Sequence, residues 1–109
     1  MIHKMRLVDF AFNAIKNKEK DIEVRLNDEK RQLINIGDII VFEHIDTKEI
    51  IKTRVIDLHR FNTFEELFNY FDCKRLGLKE TDDARICDNF YTKEEQEKYD
   101  ALGIEIVMV

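Results

Sequence analysis

Proline is absent from this 109-residue chain, and only three glycines and two cysteines occur. With no proline, no low-complexity stretch and no repeat, nothing marks a linker, so residues 1–109 read as one domain. That length supports a single modest core and is too short for two. Cys73 and Cys87 lie 14 positions apart with no C-x-x-C pair. Two reduced thiols in a cytoplasmic protein are the expectation, with no metal site and no cofactor. No apolar run approaches the roughly 18 residues of a bilayer span. MIHKMRLVDF lacks the continuous apolar stretch of a secretory signal. His3, His44 and His59 stand singly, which suits surface or strand-end positions better than a ligand set or a base.

A basic excess is lacking too. The net charge of −5 excludes a protein coated in positive surface, but the charge is unevenly placed. Residues 1–61 hold 12 Lys/Arg against 11 Asp/Glu, whereas residues 62–109 hold 6 against 12. A polyanion would therefore meet the first half, where Lys16, Lys18, Lys20, Arg25, Lys30 and Arg31 gather. Five acidic residues lie among these six cations. So mixed a patch favours a small, specific anionic or nucleobase-like ligand over salt-driven gripping of a long phosphate backbone.

What is present reads as alternating elements. Leu7, Phe10, Ala11, Ala14 and Ile15 recur at helical spacing over about Val8 to Lys18. Strands are expected at Asp21–Leu26, Asp38–His44, Glu49–Arg60 and Ile104–Val109. Asp46-Thr47-Lys48 would make a hairpin connection, and Asn27–Leu33 a turn or one short helical turn. Alternation along Glu49–Arg60 is imperfect, as where a barrel strand bends or bulges. Thr63-Phe64-Glu65-Glu66 has the form of a capping box and opens a helix whose Phe64, Leu67, Phe68 and Phe71 make a core stripe. Thr92-Lys93-Glu94-Glu95 repeats that form, predicting a helix to Leu102 closed by a left-handed Gly103. Lys74–Asp88 is acidic and less regular. Four or five strands interrupted by three flanking helices fit an α+β domain, a small β-barrel with helices covering its ends. Ile22, Val24, Leu26, Ile39, Val41, Val55, Ile104 and Ile106 are expected in its core.

The most informative run is Ile22-Glu23-Val24-Arg25-Leu26. Successive side chains on a strand alternate faces, so three apolar groups point one way and Glu23 with Arg25 the other. Lys20 precedes the run; Asp28, Lys30 and Arg31 follow it. Such a face is either solvated, with surface ion pairs, or a surface that binds something. A buried ion network that pins the strand is a further structural reading.

The order Lys20-x-x-Glu23-x-Arg25, a charged turn, then Gly37-Asp38 before an apolar strand resembles the signature of the ASCH domain, a branch of the PUA-like β-barrels. The Phe-rich helix at Thr63–Phe71 and the Tyr91…Gly103-Ile104-Glu105-Ile106 ending are similar to small bacterial single-domain members. The resemblance thus runs from Phe10 to Val109. It implies a module that binds RNA or a small nucleoside-like ligand in a charged cleft, with Lys20, Glu23, Arg25, Lys30 and Arg31 as ligand-binding residues. Arg25 would offer a bidentate fork to phosphate or a base edge, and Glu23 would accept from an exocyclic amine. No membrane contact is implied, and a monomer is favoured.

An enzyme is the alternative. Some ASCH proteins similar to this one deacetylate acetylcytidine with a Lys, a Thr and a Glu. The Lys falls on Lys20, and the Arg two residues after the Thr falls on Arg25, but the Thr position holds Glu23. Lys20 and Glu23 would then be catalytic, Glu23 orienting a water as general base. Glu65, Glu66 and Asp72 are the candidates for the distal carboxylate. RNA cleavage, also reported in the family, lacks paired histidines here and ranks below both.

Overall fold

The structure is a computed structural model describing residues 1–109. Its first strand is one that the sequence pattern did not announce. Ile2–Leu7 (β1) turns Met5 and Leu7 into the core, with His3 half-buried beside them, and leaves Ile2, Lys4 and Arg6 outside. Asp9–Lys16 (α1) buries Ala11, Phe12, Ala14 and Ile15. Phe10, expected on that buried face, is instead 51% exposed, and Phe12 takes the core position.

Ile22–Leu26 (β2), Ile39–His44 (β3), Ile50–Phe61 (β4) and Ala101–Met108 (β5) complete the sheet. Its order is β1-β3-β4-β5-β2, with β1 parallel to β3 and the other neighbours antiparallel. The sheet curls into a half-barrel whose two edges are β1 and β2. The irregular alternation of the long strand is a bulge between Val55 and Asp57.

Phe64–Tyr70 (α2) and Lys93–Lys98 (α3) flank the sheet, with 3₁₀ turns at Arg31–Leu33, Cys73–Leu76 and Ala84–Asn89. The capping box at Thr92 forms completely, Thr92 accepting from the Glu95 amide and Glu95 from the Thr92 amide. At Thr63 only half forms: Thr63 accepts from the Glu66 amide, but Glu66 accepts from Asn62.

Two expectations are corrected. The last helix stops at Lys98, not Leu102, and Gly103 lies within β5 rather than capping a helix. Helix α3 buries no residue, so nothing holds a further turn. Ala101 to Ile104, all buried, gain more as a strand between β4 and β2. In β3 the inward residues are Ile40, Phe42 and His44, while Ile39 and Val41 are only half-buried. Val24 is likewise half-buried.

One core fills the space between α1 and the sheet, with Phe12, Ile40, Phe42 and Ile104 fully enclosed. A second lies under α2, where Ile22 and Leu67 are fully enclosed and Phe71 nearly so. Each such side chain contributes about 1.5–3 kcal/mol of transfer free energy. Together they fix β2 between β5 and the irregular segment that follows α2.

Candidate functional site

The site begins where α1 ends. Lys18 adopts the left-handed conformation at φ 63°, and the Glu19 and Lys20 amides both donate to the Ala14 carbonyl, at 2.9 and 3.0 Å. This closing turn folds the chain back and aims Lys20 inward ahead of β2. The Asp21 amide then donates to the Arg75 carbonyl at 3.0 Å, and pairing with β5 begins at Ile22.

Lys20 Nζ lies 2.8 Å from Glu23 Oε1, and Arg25 Nε donates to Glu23 Oε2 at 2.9 Å. Arg25 Nη2 also donates to the Arg6 carbonyl at 2.9 Å. Arg6 belongs to β1 and Arg25 to β2, so one guanidinium spans the two edges that the sheet leaves unpaired. The Glu23 face of β2 is therefore not a solvated one: Glu23 is 3% exposed and Lys20 8%. Burial by itself would raise the Glu23 carboxyl, but the adjacent Lys20 and Arg25 charges outweigh it and hold the group down to about 2. Glu23 is thus an ionised acceptor at neutral pH.

Above this trio lies a cavity of about 310 Å³. It occupies the seam between β1 and β2, and its other walls come from α1, α2, Ile45 just after β3 and the segment between Leu76 and Tyr91. Arg6, Lys20, Glu23 and Arg25 are its only charged side chains; the rest of the wall is apolar or aromatic. Phe10 and Phe90, each more than half exposed, stand at the mouth. Tyr91 is fixed beside them by stacking on Phe64, with ring centroids 5.7 Å apart. Burial raises the Tyr91 hydroxyl, so it stays protonated as a donor. Burial also pushes the Cys87 thiol up to about 12, which removes a thiolate from the chemistry available here.

The five residues proposed from sequence separate into two groups. Lys20, Glu23 and Arg25 meet in the seam cavity. Lys30 is exposed, and Arg31 lines a different cavity of about 470 Å³ with Arg60 and Lys98. Arg31 sits 3.5 Å from Asp28, and its buried Nε has no partner. Glu65, Glu66 and Asp72 are exposed and line neither cavity. The aromatic rim went unread because Phe10 scans as part of a helical stripe and Phe90 sits in a segment without periodicity.

The motif's second half is structural. Asp38 accepts from His3 Nε2 at 2.8 Å and from the Asn35 amide at 2.9 Å, and these bonds hold it down to about 2. The histidines are more tightly placed than their isolation suggests. His44 is buried and its Nδ1 accepts from the Asp46 and Thr47 amides, leaving Nε2 to donate to Asp9 at 2.8 Å. His59 Nε2 lies 2.9 Å from Glu105 and 3.7 Å from Asp57, and Arg75 sits 3.4 Å from the other Glu105 oxygen. Cys73 and Cys87 are both free thiols. No helix is long and apolar enough to cross a membrane.

The model of the ASCH domain matches residues 5–109, starting five residues before the span inferred above. The crystal structure of the hypothetical protein PH0355 is similar at 29% identity, covering 100% of both chains with a TM-score of 0.87. The solution structure of protein PF0455 from Pyrococcus furiosus is similar at 30% identity, covering 100% of this chain and 98% of that one, with a TM-score of 0.77. A search of the curated proteins finds no match.

Proposed function

The chain belongs to the ASCH domain family, which has the PUA-like fold, and from that premise we propose that it binds single-stranded RNA or a modified nucleoside in the seam cavity. One observation carries the reading: an aromatic-mouthed cavity closes over a buried, charged, hydrogen-bonding floor. At about 310 Å³ it falls at the small end of ligand sites, which run from roughly 300 to 1,000 Å³. That suits a single nucleoside unit. Phe10 and Phe90 offer π-faces on which any base can stack. Lys20 and Arg25 supply donors, and the ionised Glu23 accepts from an exocyclic amine.

The amidohydrolase reading finds less support. Such a reaction wants a nucleophile or an activated water with a second carboxylate to move the proton. No serine or threonine and no carboxylate other than Glu23 reaches the cavity wall. Glu23 itself is held between two cations and is a poor proton acceptor near neutral pH. A binding role asks only for the charged, fixed state that the trio has.

Fluorescence anisotropy of a labelled single-stranded RNA tests the proposal. Phe90→Ala removes an exposed ring and should weaken binding by about 1–3 kcal/mol per stacked base. Arg25→Ala should cost about 1–3 kcal/mol if it makes a bidentate contact. Unchanged affinity in both variants would move the site elsewhere. Product formation from acetylcytidine, followed by chromatography, addresses the enzyme: turnover lost in both Lys20→Ala and Glu23→Ala would replace the binding reading.

A further inference from the structure

The floor of the seam cavity carries an unbalanced charge. Lys20 and Glu23 are nearly sealed from water and the Arg25 side chain is 15% exposed. Glu23 can neutralise only one of the two cations it touches. Asp28, the other carboxylate that acts on Arg25, is already paired with Arg31. The third cation on the wall, Arg6, is mostly exposed and lies 3.9 Å from Glu43, so the surplus rests on Lys20 and Arg25. A positive charge withdrawn from water is costly unless a partner meets it.

Donors are also left over. Lys20 Nζ has three N–H groups and Glu23 as its one partner. Arg25 binds through Nε and Nη2, and its Nη1 has no protein partner. Apart from Glu23 and the Tyr91 hydroxyl, no side chain of the wall carries an oxygen or nitrogen acceptor. Excess positive charge and idle donors on the same two side chains describe half of an anion site.

Resting on the reading of this cavity as a nucleotide-type site, we infer that its occupant is anionic and enters end-on. A terminal phosphate seats on Lys20 and Arg25 at the floor, and its base lies between Phe10 and Phe90 at the mouth. An internal phosphodiester does not fit, because the chain would have to continue through the floor of a cavity of about 310 Å³. The site therefore selects RNA ends or mononucleotides over internal segments, and phosphorylated ligands over neutral nucleosides.

Calorimetric titration with the four common ribonucleosides, their 5′- and 3′-monophosphates and inorganic phosphate tests this. Short single strands with a 5′-phosphate, a 3′-phosphate or hydroxyls at both ends separate a chain end from a free nucleotide. At least one monophosphate should bind about tenfold or more tightly than its nucleoside, and the matching phosphorylated strand should beat the unphosphorylated one similarly. Lys20→Met, which keeps the stem and removes the charge, should erase that preference. Since this variant could unfold, the wild-type protein supplies a second readout: the preference should shrink as salt rises. Equal affinity for nucleosides and monophosphates would overturn the anionic occupant while leaving nucleoside binding standing. Inorganic phosphate binding as tightly as the nucleotides would overturn the end-on nucleotide. Failure of every nucleoside, nucleotide and strand to bind would overturn this inference together with the function it rests on.

Discussion

Gly77 lies directly against the stem of Lys20. A methyl group at Gly77 would come within 3.0 Å of Lys20 Cδ and 3.1 Å of Lys20 Cβ, and the residue holds a left-handed φ of 72°. Glycine is thus required twice, for the backbone and for the space through which Lys20 reaches the cavity floor. Gly77→Ala should cost about 1–2 kcal/mol from the backbone alone. It should also weaken ligand binding, although Gly77 does not line the cavity. Thermal unfolding and a binding titration of the variant check the two effects separately. Unchanged affinity would mean that Lys20 can shift without loss.

Glu23 makes stability depend on acid. Its folded value of about 2 lies below the ordinary 4.5, so its contribution is fully present above about pH 4.5 and is lost as pH falls through 2. Asp38, also held down to about 2, titrates in the same window. The melting temperature of the wild type should therefore fall as pH drops from about 4.5 to 2, and less steeply in Glu23→Gln, while Asp38→Asn removes the other share of the same loss. At neutral pH Glu23→Gln should cost about 3–5 kcal/mol, because two buried cations lose their counter-charge. A neutral-pH loss well under 1 kcal/mol would show that water reaches the trio.

Lys18 offers the opposite case. It pays the left-handed penalty at φ 63° on an exposed surface, at the turn that aims Lys20. Lys18→Gly should raise stability by about 0.5–1 kcal/mol, read from chemical denaturation, with no change in the cavity.

Gly103 constrains the second core. A Cβ there would meet Phe71 Cε2 at 3.2 Å and Ile22 Cγ2 at 3.3 Å. Both neighbours are buried and neither can move freely. Gly103→Ala should lower stability by about 1–3 kcal/mol through overpacking, measurable by urea unfolding.

Much of this architecture was legible in the residues, for reasons that also mark where legibility stops. Strand β2 was readable because Ile22, Val24 and Leu26 alternate with charges, and the family signature starts there. Helix α2 was readable from one aromatic stripe, and the start of α3 from a complete capping box. Strand β3 hid its inward face because Ile39-Ile40-Val41-Phe42 is apolar throughout and carries no period of two. Strand β1 escaped notice because only Met5 and Leu7 are buried in six residues, and its partner β3 lies far along the chain. The charged trio could be named from spacing, since Lys20, Glu23 and Arg25 are local to one another. Its burial could not, because the wall that seals it comes from β1, α1, α2 and the segment ending at Tyr91. For the same reason Lys30 and Arg31, close in sequence, fall outside the cavity they were expected to share.

On this proposal the seam between β1 and β2 is the ligand site. Titrating the ¹⁵N-labelled protein with a short single-stranded RNA, and following amide shifts residue by residue, tests it most directly. Saturable shifts should concentrate at Lys20–Leu26, Phe10 and Phe90–Tyr91 and be lost in Phe90→Ala. Shifts centred instead on the Arg31, Arg60 and Lys98 surface, or none at all with RNA or nucleotides, would contradict it.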